Sequence, residues 1–244
     1  MSEKIFLIQK TARLAGFYYL LVAIFGFYGI MYVPSQVVVK GNAAATMQHI
    51  LEKEFLFRSG IAGNLIGSVA FIFTVLTFYQ LFKNIDKRKA KLMVALVIVQ
   101  IPVTFLAESF TFASLMVAKG EILPHLDLMQ RQDWVMFLLR LKSYNIIALE
   151  IFWGLWLIPL GQLILKSGYL PKFIGILLIL GGVAYVIESL DFILFSEKLS
   201  FITDYGFIFY STAELVTVAW LLVKGVKLNG LSPKAKQITE KWSL

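Results

Sequence analysis

Residues 173–195 read FIGILLILGGVAYVIESLDFILF, a run in which Glu188 and Asp191 are the charged residues. A helix needs roughly 20 consecutive, mainly apolar residues to cross the hydrocarbon core of a bilayer, so this run predicts a transmembrane helix. Five further runs reach that length, at residues 14–33, 55–82, 92–117, 144–165 and 205–223. The sequence therefore predicts an all-α fold, an integral membrane bundle of six transmembrane helices.

The composition agrees with a membrane protein. Of the 244 residues, 59% are hydrophobic and 16% are charged, whereas a soluble domain has about a quarter charged residues. The composition is even along the chain, which predicts one transmembrane domain over residues 1–227 and a polar cytoplasmic tail over residues 228–244. The net charge of +8 indicates basic residues beside anionic membrane lipid rather than a nucleic-acid partner.

The basic residues are unevenly divided between alternate connections. Fifteen of the 23 Lys and Arg residues lie before the first run, between the second and third, between the fourth and fifth, and after the sixth. Connections rich in Lys and Arg stay in the cytoplasm. The asymmetry therefore predicts a multi-pass protein of the cytoplasmic membrane with both termini inside.

Two outer connections are long enough to contain structure of their own. Residues 34–54 and 121–142 carry apolar residues at helical spacing, and Asn42 is suited to cap the first segment. We predict short amphipathic helices on the outer membrane surface. Solvated helices packed on the domain are the alternative.

Charged side chains inside the predicted spans are candidates for a functional site. A charge at the bilayer centre costs about 2.5–3.5 kcal/mol on insertion scales, so such residues usually face the bundle interior. The candidates are Glu108, Glu150, Glu188, Asp191 and Glu214, with Arg58 near the outer end of the second span. We predict that they line a polar, ligand-binding cavity in the outer half of the bundle. The alternative is a structural role in which protonated carboxyls hold helices together.

Glu108 and Glu214 share a local pattern. Ala107-Glu108-x-x-Thr111 matches Ala213-Glu214-x-x-Thr217, on the third and sixth spans. Inverted repeats of this kind are common in transporters. Chance similarity between apolar helices is the other interpretation.

Several kinds of chemistry have no motif in this chain. It has no cysteine and two histidines, and it contains no P-loop and no G-x-S-x-G. The sequence therefore predicts no metal site and no cofactor.

Short motifs in order along the chain resemble a known family. They are Arg13-Leu14-Ala15-Gly16, Gly41-Asn42-Ala43-Ala44-Ala45-Thr46, Leu56-Phe57-Arg58, Leu160-Gly161, Lys166-Ser167-Gly168-Tyr169-Leu170-Pro171 and Ile174-Gly175. Together they resemble domain of unknown function 4386, from about Arg13 to Val223. The resemblance implies a multi-span bacterial membrane protein with no assigned activity. The family pattern is expected to have an acidic residue where this chain has Asn42.

Three functions are compatible with these features. The first is binding or transport of a small molecule or cation, with Arg58 meeting an anionic group. The second is an intramembrane enzyme acting on a lipid or isoprenoid, with Glu188 or Glu150 as acid or base. The third is a structural or regulatory partner of another membrane protein. The expected contacts are membrane lipid and a small ligand, without nucleic acid, and the oligomeric state is left open.

Overall fold

A computed structural model describes residues 3–195, 205–227 and 231–233 of the protein. Within these ranges all regular elements are helical. They are α1 (Glu3–Gly26), a π-helix (Phe27–Tyr32), α2 (Val33–Val37), α3 (Ala43–Glu52), α4 (Glu54–Phe82), α5 (Lys87–Ile98), α6 (Ile101–Lys119), α7 (Leu128–Ser167), α8 (Lys172–Phe195) and α9 (Gly206–Val223).

Six helical segments of the described chain are long and apolar enough to cross a membrane, which confirms the predicted all-α bundle. The segments are Ile5–Val37, Glu54–Phe82, Lys87–Lys119, Leu128–Ser167, Lys172–Phe195 and Gly206–Val223. Many large apolar side chains along them are exposed, as lipid-facing positions require.

The third span is interrupted where α5 gives way to α6. Val99 and Gln100 separate the two helices, and Pro102 follows at the start of α6. Proline has no backbone N–H and its ring clashes with the carbonyl four residues earlier, so the α-helical ladder cannot continue through this point. The break leaves the Gln100 side chain buried within the span.

The two outer connections differ from each other. The first contains α3, and Asn42 caps it by accepting a 2.9 Å hydrogen bond from the Ala45 N–H, as predicted. The prediction of a separate helix in the second connection is wrong. Leu128–Ser167 is one continuous helix of 40 residues that includes the predicted fourth span. The charged residues at its start indicated a surface helix, and hydropathy alone does not show that the backbone continues unbroken into the span.

The chain divides into two compact units. Unit 1 comprises Met1–Leu20, Ala70–Gln100 and Ala148–Leu244, and unit 2 comprises Leu21–Val69 and Ile101–Ile147. The core of unit 1 is built around the buried Trp156, whose ring lies 5.0 Å from that of Phe71 and 5.5 Å from that of Tyr19. The core of unit 2 contains Ile50, Phe57, Ile61, Leu115 and Val135 among its buried side chains.

Helices α7 and α8 approach closely in unit 1 because glycines face each other. A Cβ placed on Gly161 would lie 2.5 Å from the Gly175 carbonyl oxygen, and one placed on Gly182 would lie 2.6 Å from that of Gly154. Small residues allow this backbone contact, which is a common basis of helix association in membranes.

The segment after α9 is attached to the rest of unit 1. The Gln9 amide donates to the Val226 carbonyl at 2.6 Å and accepts from the Val226 N–H at 2.8 Å. The Ser232 N–H donates to the Ser167 carbonyl at 3.1 Å, so this part of the predicted tail contacts the domain. The remainder of the predicted tail, residues 228–230 and 234–244, lies outside the described residues.

Candidate functional site

Unit 2 contains a cavity of about 160 Å³. Its wall is mainly apolar, with polar groups contributed by α6 and α7. The lining residues are Gly29, Ile30, Val33, Pro34, Val37, Val38, Phe57, Gly60, Ile61, Thr111, Met136, Leu139, Arg140, Lys142, Ser143 and Ile146. A mainly apolar cavity with a few polar groups is the usual form of a small-molecule site.

Lys142, one of the polar lining residues, forms a buried ion pair with Glu108, which does not itself line the cavity. Lys142 Nζ lies 2.9 Å from Glu108 Oε1, and the two residues are only 8% and 3% exposed. Asn64 Nδ2 donates to the same oxygen at 2.8 Å. Glu108 Oε2 has no hydrogen-bond partner among the described residues. The carboxylate is thus held through one oxygen by an ammonium and an amide.

Gly29 leaves space for the Asn64 amide. This glycine lies in the π-helix, and a Cβ added to it would overlap the Asn64 side chain. Single π-helical turns within α-helices occur frequently at functional sites. Here the turn presents its glycine to the amide, so Asn64 can extend towards Glu108.

Arg58 does not join this ion pair. Its Nε donates to Glu54 Oε1 at 2.7 Å, and its guanidinium lies 5.5 Å from the centre of the Phe112 ring. Lys119 contacts the same Glu54 oxygen at 3.4 Å. Arg58 is not among the residues that line the cavity, and its binding of an anionic ligand stays a prediction.

Glu214 is the centre of a second polar group, in unit 1. Tyr19 donates to its Oε2 at 2.6 Å, and Tyr185 donates to its Oε1 at 3.1 Å. Both carboxylate oxygens are therefore satisfied by phenolic hydroxyls. The Tyr185 ring stacks on that of Tyr210, with 3.6 Å between the ring centres.

Glu150 and Glu188 lie close to the same tyrosines. The two carboxyl groups are within electrostatic range of each other, and the Tyr210 hydroxyl hydrogen-bonds to Glu188. Asp191 is buried on the same helix as Glu188. Four of the predicted acids thus belong to unit 1 and Glu108 belongs to unit 2. Their binding of a ligand stays a prediction.

Sequence reasoning missed Lys142. It was assigned to an outer connection, because the fourth span was predicted to begin at residue 144. In the structure it lies well inside α7, on a continuous helix that starts at Leu128. The available signal was the apolar spacing in residues 126–142, which continues into the span without a Gly or Pro. Sequence reasoning also missed Tyr19 and Tyr185 as the hydrogen-bond partners of Glu214.

Comparison with known proteins identifies the family of this chain over most of its length. A family model described as a domain of unknown function (DUF4386) matches residues 14–225. The chain belongs to this family. An uncharacterized protein of Archaeoglobus fulgidus is similar to this DUF4386 protein, with 35% identity over 88 residues. That match covers 35% of the chain and 50% of the relative, so the chain spans half the length of the relative it matches. No solved structure matches the DUF4386 protein.

Proposed function

We propose that this DUF4386 protein is a membrane protein that binds a small molecule in the unit 2 cavity. The observation that carries the proposal is the buried Lys142–Glu108 pair at the wall of a mainly apolar cavity. Removing two charges from water is expensive, and well-packed apolar residues often serve stability equally well or better. Ionisable residues within membrane spans are accordingly functional candidates.

The size of the cavity limits the ligand. An apolar protein cavity of about 150 Å³ is large enough to bind benzene, whereas drug-sized ligands need roughly 300–1,000 Å³. A cavity of about 160 Å³ therefore fits a molecule about the size of one aromatic ring with a single polar substituent. Transport of that molecule is the extension of the proposal, with the unit 1 carboxyls Glu150, Glu188, Asp191 and Glu214 binding a cation or exchanging protons.

A thermal-shift experiment tests binding. The purified protein in nanodiscs is heated with single-ring compounds that carry one acidic, neutral or basic group. We expect at least one class to raise the melting midpoint, because a ligand that binds only the folded state stabilises it. The variant Ser143→Phe should abolish the shift by filling the cavity, since Ser143 lines it.

Ser109→Phe is the matched control. Ser109 is also exposed on a helix of unit 2, and like Ser143 it donates its hydroxyl to a backbone carbonyl of its own helix. It does not line the cavity. Equal shifts in Ser143→Phe and wild type would place binding elsewhere. The absence of any shift across all three classes would contradict the proposal.

One observation favours a second candidate function, an intramembrane enzyme acting on a lipid or isoprenoid. Glu150 and Glu188 interact electrostatically, and a phenolic hydroxyl contacts Glu188. Paired carboxyls of this kind can supply acid and base catalysis. Incubation with lipid and isoprenoid substrates, followed by mass spectrometry, should show turnover that Glu188→Gln removes and Glu52→Gln, at an exposed position, retains. Identical turnover in both variants would exclude this role for Glu188.

We also propose that the protein resides in a cytoplasmic membrane with both termini in the cytoplasm. The support is the excess of Lys and Arg in alternate connections. Because the chain has no cysteine, single substitutions report topology directly. Ala44→Cys should react with an impermeant thiol reagent in intact cells, and Ser232→Cys should react only after permeabilisation. Labelling of Ser232→Cys in intact cells would reverse the orientation.

A further inference from the structure

We infer that the ligand of the unit 2 cavity is a small amphipathic anion, a monocarboxylate with an apolar group about the size of one ring. The inference rests on the proposed binding function and specifies its ligand class. It follows from three properties of the wall, namely the sign of its charges, the position of those charges, and the apolar character of the rest.

All charged side chains that line the cavity are basic. They are Arg140 and Lys142, and no acidic side chain is among the described lining residues. Glu108 forms an ion pair with Lys142, so it offsets one of the two positive charges. No carboxylate of the described chain forms an ion pair with Arg140. The wall therefore carries one positive charge that the surrounding side chains leave uncompensated.

The positions of these groups suit a carboxylate. Arg140 and Ser143 are exposed and Lys142 is buried, so the lining combines one exposed basic group with one buried basic group. A guanidinium presents two parallel N–H donors to a carboxylate, which gives a short and directional contact. An ammonium has three donors, so Lys142 can contact a ligand oxygen while it keeps its bond to Glu108.

The remaining wall suits an apolar group. Val33, Val37, Phe57 and Ile61 line the cavity from the π-helix–α2 segment and from α4. Burying apolar ligand surface against them is favourable by roughly 25 cal/mol per Å². A fully hydrated ion, such as inorganic phosphate, would gain nothing from this wall. A fatty acyl chain is too large for about 160 Å³.

Binding of three isosteric probes tests the ligand class. Benzoate, benzyl alcohol and benzylamine are titrated against the protein in phosphatidylcholine nanodiscs, and affinity is measured by calorimetry. We expect benzoate to bind most tightly. Arg140→Gln should weaken benzoate binding about tenfold or more, the effect of losing one charge-assisted hydrogen bond, and should leave benzyl alcohol unchanged.

Lys40→Gln is the matched control, because it removes the same charge from an exposed position of unit 2 that does not line the cavity. It should bind benzoate as the wild type does. Benzylamine or benzyl alcohol binding as tightly as benzoate would overturn the anion inference and leave the cavity function intact. So would benzoate binding that is insensitive to Arg140→Gln. Failure of all three probes to bind would instead count against the proposed function itself.

A lipid headgroup could present the same oxyanion chemistry to Arg140. Repeating the titration in nanodiscs that contain phosphatidylglycerol separates the two sources. We expect the benzoate affinity to be retained. A loss of affinity that occurs in wild type and is absent in Arg140→Gln would assign the basic groups to lipid and overturn the soluble carboxylate.

Discussion

Lys142→Met is the substitution that most directly tests the buried ion pair. It removes the ammonium and keeps a long, unbranched side chain, so the Glu108 carboxylate retains only the Asn64 amide as a partner. Removing one member of a buried pair costs about 3–5 kcal/mol, because an uncompensated charge remains. For a chain of this size that corresponds to a fall in melting midpoint of roughly 6–20 °C.

The double variant Lys142→Met/Glu108→Gln separates pairing from packing. Replacing both charges removes the uncompensated group, and such replacements are often neutral. We expect the double variant to be more stable than either single variant, which is a large departure from additivity. Reversible unfolding in mixed micelles, followed by tryptophan fluorescence, measures the free energy of unfolding for all four proteins.

Arg58→Gln is the control for loss of a basic residue. Its partner Glu54 is partly exposed and also contacts Lys119, so we expect a small change in stability. The reasoning would be refuted if Lys142→Met were no more destabilising than Arg58→Gln. It would also be refuted if the double variant lost the sum of the two single effects.

Three further predictions concern unit 1. Gly161→Ala should lower the melting midpoint because its Cβ would press on the Gly175 carbonyl oxygen. Gly26→Ala, where nothing lies within 4 Å of the added Cβ, should be neutral or stabilising by up to about 1 kcal/mol, and equal effects of the two substitutions would contradict the close contact. The ion pair with Lys166 and the helix-capping N–H hold the pKa of Asp86 below its usual range, so their stabilisation is lost as the pH falls below about 4. Asp86→Asn should therefore make the melting midpoint less dependent on pH at acid pH, and an unchanged dependence would exclude the ion pair as its cause. Gln9→Leu removes two hydrogen bonds to Val226 and should lower the free energy of chemical unfolding by about 1–3 kcal/mol. If the variant is as stable as the wild type, these hydrogen bonds contribute nothing to stability.

The spans were predictable because the bilayer imposes a length on apolar runs. The second and fifth predicted runs begin within one residue of α4 and α8 and end at the same residues. The first was predicted to start at residue 14, although its helix begins at Glu3. The predicted start lies too late in the sequence because polar residues lie before the run. Hydropathy identifies only the part of a helix that lies in the membrane, not the part that extends beyond it.

The partners of the acidic residues were harder to predict. Glu108 and Lys142 are far apart in the sequence, and no local pattern specifies that they meet. The repeat motif gives a similar lesson, since Thr111 and Thr217 each donate to the carbonyl of the alanine four residues earlier. Yet Glu108 bonds to an ammonium and an amide, whereas Glu214 bonds to phenols. Helical periodicity determines the first kind of contact and tertiary packing the second, so the inverted repeat stays a prediction.

Gly29 has a consequence for any mutational survey of the protein. It has no side chain that could touch a ligand, yet a methyl group there would displace the Asn64 amide from the carboxylate that it holds. The disturbance would pass through Glu108 to Lys142 and so to the cavity wall. A survey scored on ligand binding would therefore rank a residue without a side chain beside the charged ones.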